Sequence, residues 1–167
     1  QLGYALSALL LLQVSVNDQR RTLMLAVILC IVVGYGLYGL VALQTGDTIL
    51  GLPKWAYFGV ATGPMVNRNS FATYLGFGAV LALAMLGARI VSQAERHKDD
   101  GRIANGTSTI ILLGLAYAFL LIVIISTQSR MGLVATLAGS ATIAILVFSA
   151  VRSARIAVFG VLALLGI

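Results

Sequence analysis

Long uncharged apolar runs, separated by short polar knots, set the rhythm of this chain. The runs cover residues 2–16, 22–43, 70–88, 110–126 and 131–151, and a further one begins at Ile156. About 20 apolar residues in helical form cross the hydrocarbon core of a bilayer. The pattern therefore predicts an all-α, polytopic transmembrane helical bundle, with about five full spans plus a partial sixth in a single domain over 1–167. The polar pieces between the runs are the connections. Asn17, Asp18, Gln19, Arg20 and Arg21 close the first run, and a polar, aromatic connection over 44–69 carries Asp47, Pro53, Lys54, Trp55 and Tyr57. A charged loop over 89–108 includes Glu95, Arg96, His97, Lys98, Asp99 and Asp100, a short turn occupies 127–130, and Arg152 and Arg155 end the fifth run. Trp and Tyr favour the headgroup level, so the 44–69 connection is expected to lie along the membrane surface.

Composition agrees with this pattern. Hydrophobic residues make up 60% of the chain, charged residues 10%, and the mean hydropathy is +1.02. A soluble domain carries roughly a quarter charged residues, so that class is excluded. The net charge of +6 does not signal nucleic acid, because the basic residues sit in short clusters between apolar runs, where they write orientation. If loops alternate sides, one side holds Arg20, Arg21, Arg89, Arg96, Lys98, Arg102, Arg152 and Arg155, while Lys54, Arg68 and Arg130 face the other. The richer side is expected to be cytoplasmic, placing 44–69 and 127–130 together on the outer face. A single cysteine, Cys30, gives no disulfide framework. Gly34, Gly36 and Gly39, and the stripe Gly132, Thr136, Ser140 and Ala144 at intervals of four, suit close helix packing. The chain opens on Gln1 inside an apolar run and ends about half a span after Val158, the pattern expected of an internal fragment of a larger membrane protein.

Arg68 and Arg130 run against the orientation rule. Arg68 is flanked by Asn67 and Asn69, and Arg130 follows Thr127, Gln128 and Ser129. Each stands at the start of an apolar helix on the outer face, where unpaired N–H groups and the helix dipole favour an anion. Arginine's planar fork can hold phosphate in a bidentate way. The alternative is that each arginine merely snorkels to the headgroups. A phosphate or diphosphate at the outer leaflet is the natural ligand on the first reading. Lys54 and Trp55 read as interfacial anchors, with contact to a sugar or headgroup as the alternative, and Asp47 as a solvated carboxylate. His97, on the opposite side, reads as a solvated loop residue. No Cys/His cluster suits a metal, no phosphate-cradling glycine loop suits a nucleotide, and no Ser-His-Asp set is present. No cofactor is expected.

These residues carry a family resemblance. Gly63, Asn67, Arg68, Asn69, Phe71, Ala72, Tyr74 and Leu75 reproduce the order G-x-x-x-N-R-N-x-F-A-x-Y-L, which resembles a segment of the O-antigen ligase and O-antigen polymerase superfamily of membrane glycosyltransferases. Thr127, Ser129, Arg130 and Gly132 are similar to the T-x-S-R-x-G segment of the same superfamily. The likeness covers roughly 22–151. It implies a metal-independent transferase in the bacterial inner membrane, active at the periplasmic face, that moves a glycan from undecaprenyl diphosphate to an acceptor. That acceptor is lipid A–core in a ligase and another lipid-linked repeat unit in a polymerase, and the residues at hand leave the choice open. By the resemblance Arg68 and Arg130 bind the donor diphosphate, and Asn67, Asn69 and Ser129 orient them or add phosphate contacts. The superfamily's general base, a histidine in a large periplasmic loop, is expected beyond Ile167, so no catalytic residue is assigned within the fragment. Partners implied are the lipid-linked glycan, its acceptor and membrane lipids, with no nucleic acid. A polytopic transporter and a structural membrane subunit are the competing readings, the first weakened because no ionisable residue lies mid-span.

Overall fold

The computed structural model describes residues 16–46, 48–100 and 107–164, with side chains described for 16–46, 48–93 and 107–150. Among the described residues are four helices and one two-stranded ribbon. Helix α1 spans Asp18–Gln44, strands β1 (Thr48–Ile49) and β2 (Leu52–Pro53) pair antiparallel, and helices α2 (Arg68–Asp100), α3 (Thr107–Ser126) and α4 (Arg130–Leu164) follow. Each helix contains a stretch long and apolar enough to cross a membrane: Asp18–Gln44, Arg68–Gln93, Thr107–Ser126 and Arg130–Ala150. The all-α, membrane-spanning class therefore stands, with four candidate spans among the described residues.

The span count and two boundaries differ from the sequence expectation. The first expected span, 2–16, save its last residue Val16, and Asp47 lie outside the described residues. The break expected before a sixth span at Ile156 is absent, because α4 runs unbroken to Leu164. Neither Gly nor Pro occurs in 151–159, and the Arg and Ala residues there sustain a helix. The expected loop over 89–108 is helical as far as Asp100 for the same reason: Ala88 to Lys98 lacks a breaker, and the charges that read as loop are good helix formers. His97 accordingly lies on α2, not in a loop. It is 29 positions from Arg68, roughly 43 Å along the axis at 1.5 Å per residue. At the other end of α1, the knot read as a connection forms the first turn. Asn17 Oδ1 caps it by accepting from the Gln19 and Arg20 N–H groups at 3.0 and 3.2 Å.

Helix α2 is the hub, packing against α1, α3 and α4, whereas α3 and α4 touch little despite their short turn. Its inner stripe is Phe71, Ala72, Leu75, Ala79 and Ala82, all fully buried. Against α1 the contacts run in opposite directions along the two helices: Phe71 sits on Gly39, Leu75 on Gly36, and Gly78 on Val32. Against α4 they run together. Ala72 meets Gly132, Gly76 meets Thr136, Val80 meets Gly139, and Gly87 meets Val147. Helices α2 and α4 are therefore parallel, with a constant offset of about 60 residues, and small side chains at each step let the backbones approach. The Gly132, Thr136 and Ser140 stripe packs as its spacing implies. Ala144 is exposed, so the stripe ends one turn early. Of the three α1 glycines, Gly36 and Gly39 pack while Gly34 faces open space.

Candidate anion-binding cleft

The parallel register of α2 and α4 decides the position of both polar knots. Helix α2 begins at Arg68 and α4 at Arg130, so helices aligned with an offset of 60 bring their first turns to the same level.

Each start is built by its own capping chemistry. Gly63 adopts φ +55, a left-handed turn that glycine takes without a Cβ penalty. A Cβ there would also strike the Phe71 ring. Asn67 then caps α2, its Oδ1 accepting from the Asn69 N–H at 2.8 Å while its carbonyl accepts from the Phe71 N–H at 3.1 Å. At the second knot, the Thr127 hydroxyl donates to the Ile124 carbonyl at 2.6 Å and accepts from the Ser129 N–H at 3.2 Å. Gln128 takes the left-handed φ of +53 that reverses the chain. Ser129 caps α4, accepting from the Gly132 N–H at 3.2 Å.

One hydrogen bond joins the two knots. The Ser129 hydroxyl, in a residue only 4% exposed, donates to Asn69 Oδ1 at 2.9 Å. That commits its single proton to Asn69 and leaves the Asn69 amide nitrogen as a donor. The connection is fixed to the same end by Ala61, whose N–H donates to the Ser126 carbonyl at 3.0 Å, and by Leu50, whose N–H donates to the Tyr38 hydroxyl at 2.6 Å.

Arg68, Asn69, Gln128, Ser129, Arg130 and Met131, with Ile124, Ile125 and Leu133 beneath, line one cleft of about 520 Å³. The cleft contains two arginines and no carboxylate. Among the described residues no carboxylate pairs with either guanidinium. The Arg68 side chain is half-buried, its Nε fully so and without a hydrogen-bond partner, and its guanidinium carbon lies 5.6 Å from the centre of the Tyr57 ring. An open pocket with two unneutralised cations, a free amide donor and an apolar floor suits an anionic head joined to an apolar tail.

Four of the five residues singled out from sequence, Arg68, Arg130, Asn69 and Ser129, meet in this cleft. Asn67 does not line it and serves as the α2 cap. Lys54 is corrected from a surface anchor to a buried residue, 7% exposed, whose ammonium donates to the Val60 carbonyl at 2.7 Å and the Tyr57 carbonyl at 3.1 Å. Loop carbonyls facing inward offered it acceptors, and no linear pattern announces such a fold. Trp55 is exposed, as an interfacial residue would be. Tyr57 and Gln128 are the neighbours that sequence left without a role at the arginines, because contact across a loop and a left-handed φ leave no periodic trace. Among the described residues no group of His, Cys, Asp and Glu could hold a metal. No protein-family model, characterised protein or solved structure matches the chain.

Proposed function

We propose that this chain is the donor-binding part of an O-antigen ligase-like glycosyltransferase. In this reading a glycan carried on undecaprenyl diphosphate at the periplasmic face of a bacterial inner membrane is moved to lipid A–core or another glycan acceptor. The observation that carries the reading is the shared cleft: Arg68 and Arg130, from segments some 60 residues apart, line one cavity whose floor is apolar. The diphosphate lies between the two guanidiniums, the Asn69 amide adds a donor, and the polyprenyl tail leaves along the apolar side toward lipid.

Chemically, the arginines act on the leaving group. As the glycosyl bond breaks, negative charge accumulates on the departing diphosphate, and fixed cations already in place stabilise that charge without reorganising. Ser129 holds Asn69 and the start of α4, a positioning role that its committed hydroxyl proton favours over a phosphate contact. The acceptor's proton is taken by a base outside these residues.

The experiment is deletion of the full-length gene in its source bacterium, followed by complementation and separation of lipopolysaccharide on a gel. Deletion should remove every O-unit-capped band while lipid-linked polymer accumulates. Arg68→Ala and Arg130→Ala should each fail to restore capping, with transfer down by about 10²–10³-fold, the scale of losing one transition-state donor, and with the protein present in the membrane at parental level. A surviving core band with a single O unit would reassign the protein as a polymerase. Restoration by both alanine variants would overturn the proposed cleft.

A further inference from the structure

Arg68 and Arg130 share a cleft but differ in what holds them. Behind Arg68 stands Tyr57, its ring centre 5.6 Å from the guanidinium carbon, within the range of a cation–π contact. Tyr57 does not line the cleft, so its influence on the cleft's contents runs through Arg68. Its backbone has φ +58, a left-handed conformation that a bulky residue rarely adopts. Its carbonyl accepts from the buried Lys54 ammonium at 3.1 Å, and the same ammonium holds the Val60 carbonyl at 2.7 Å. The loop thus fixes this residue in an unfavourable conformation with a buried cation, and the outcome is a ring placed against Arg68.

The choice of partner has a chemical consequence. An arginine that must keep one orientation is usually held by a carboxylate, which neutralises it and competes with any incoming anion. A ring quadrupole orients the guanidinium while leaving its charge available. The fully buried, unpartnered Nε of Arg68 fits this arrangement: the orientation of the fork is set by the ring and not by a hydrogen-bond partner on the protein. We infer that Tyr57, clamped by Lys54, is a positioning residue that aims Arg68 into the cleft with its charge unneutralised, for a phosphate-bearing lipid. The inference rests on the donor-binding reading given above.

The test measures binding of farnesyl diphosphate to the purified full-length protein in detergent, beside glycan transfer in cells. Tyr57→Phe keeps the ring and should bind within about twofold of the parent, whereas Tyr57→Leu should weaken binding about three- to tenfold, the range a cation–π contact supports. In an Arg68→Ala background the Tyr57→Leu change should have no further effect, which loss of loop structure alone would not produce. Equal weakening by Tyr57→Leu with and without Arg68 would overturn the inference, as would a Tyr57→Phe variant as weak as Tyr57→Leu. If Arg68→Ala itself binds the probe like the parent, the donor-binding reading fails first and takes the inference with it.

Discussion

At the scale of single residues, the proposed function separates groups that would meet the ligand from groups that hold those groups. Arg130 is exposed at the mouth of α4, and the role proposed for it depends on shape as well as charge. Lysine offers a point charge where arginine offers a fork, so Arg130→Lys should leave transfer more than about tenfold below parent despite the conserved charge. Lipopolysaccharide capping in complemented cells reads this directly. Ser129 belongs to the second group, and Asn69 to both, since its Oδ1 accepts from Ser129 while its amide faces the cleft. Ser129→Ala removes the α4 cap and the bond between knots together, a loss of about 1–2 kcal/mol for a cap of this kind. A double-mutant cycle with Asn69→Ala, followed by thermal denaturation in detergent, should give a coupling of about 0.5–1.5 kcal/mol, the net worth of one hydrogen bond. Independent effects of the two changes would mean that the 2.9 Å contact does not join the knots. The linear sequence revealed which side chains carried unusual chemistry, because Arg68 and Arg130 oppose the charge pattern around them. Their supports stayed hidden. Lys54 is buried by carbonyls of its own loop, and Tyr57 reaches Arg68 across eleven positions with no periodicity to mark the contact.

At the scale of elements, the α2–α4 pair explains why two distant segments form one site. Their packing is parallel, and its steps are Ala72 on Gly132, Gly76 on Thr136 and Val80 on Gly139. A Cβ at Gly132 would come within 2.6 Å of the Ala72 Cβ, whereas one at Gly34 on α1 would meet nothing within 4 Å. Gly132→Val should therefore push the first turns of α2 and α4 apart, at a cost of about 1–3 kcal/mol for overpacking. It should lower the midpoint of thermal denaturation and capping activity together. Gly34→Ala should leave both unchanged, since the helix gains a better former and no neighbour is displaced. A neutral Gly132→Val would show that the register with offset 60 is not what aligns Arg68 with Arg130. The stripe itself was readable, as four small residues at intervals of four, and the parallel direction followed from both knots sharing a face, but its partner helix was not. Spacing reports one face of a helix and carries nothing about what lies against it. Boundaries failed where charge and helix propensity disagreed. Residues 89–100 look like a loop by charge and form a helix because nothing in them breaks one.

At the scale of the whole molecule, the parallel pair turns orientation into a single binary choice for the cleft. Because α2 and α4 start at the same level and the 44–69 connection is bonded to the end of α3 through Ala61 and Ser126, both knots must emerge on one side of the membrane. Arg20 and Arg21 at the start of α1 and Arg89 toward the end of α2 mark the opposite end. The proposed function requires that end to be cytoplasmic, in keeping with its excess of basic residues, and the cleft to face out. Cysteine labelling in the full-length protein decides this. With Cys30, itself exposed on α1, first changed to alanine, Phe58→Cys on the connection should react with a membrane-impermeant maleimide in cells whose outer membrane has been permeabilised. Gln19→Cys and Ser108→Cys, both at exposed positions of the other end, should react only after lysis. The inverse pattern would place both arginines in the cytoplasm, where a periplasmic glycan donor cannot reach them, and would remove the transferase reading whatever the cleft binds. Labelling of Phe58→Cys and Gln19→Cys from the same side would strike deeper, since a bundle in which α1 runs antiparallel to α2 cannot present both ends together.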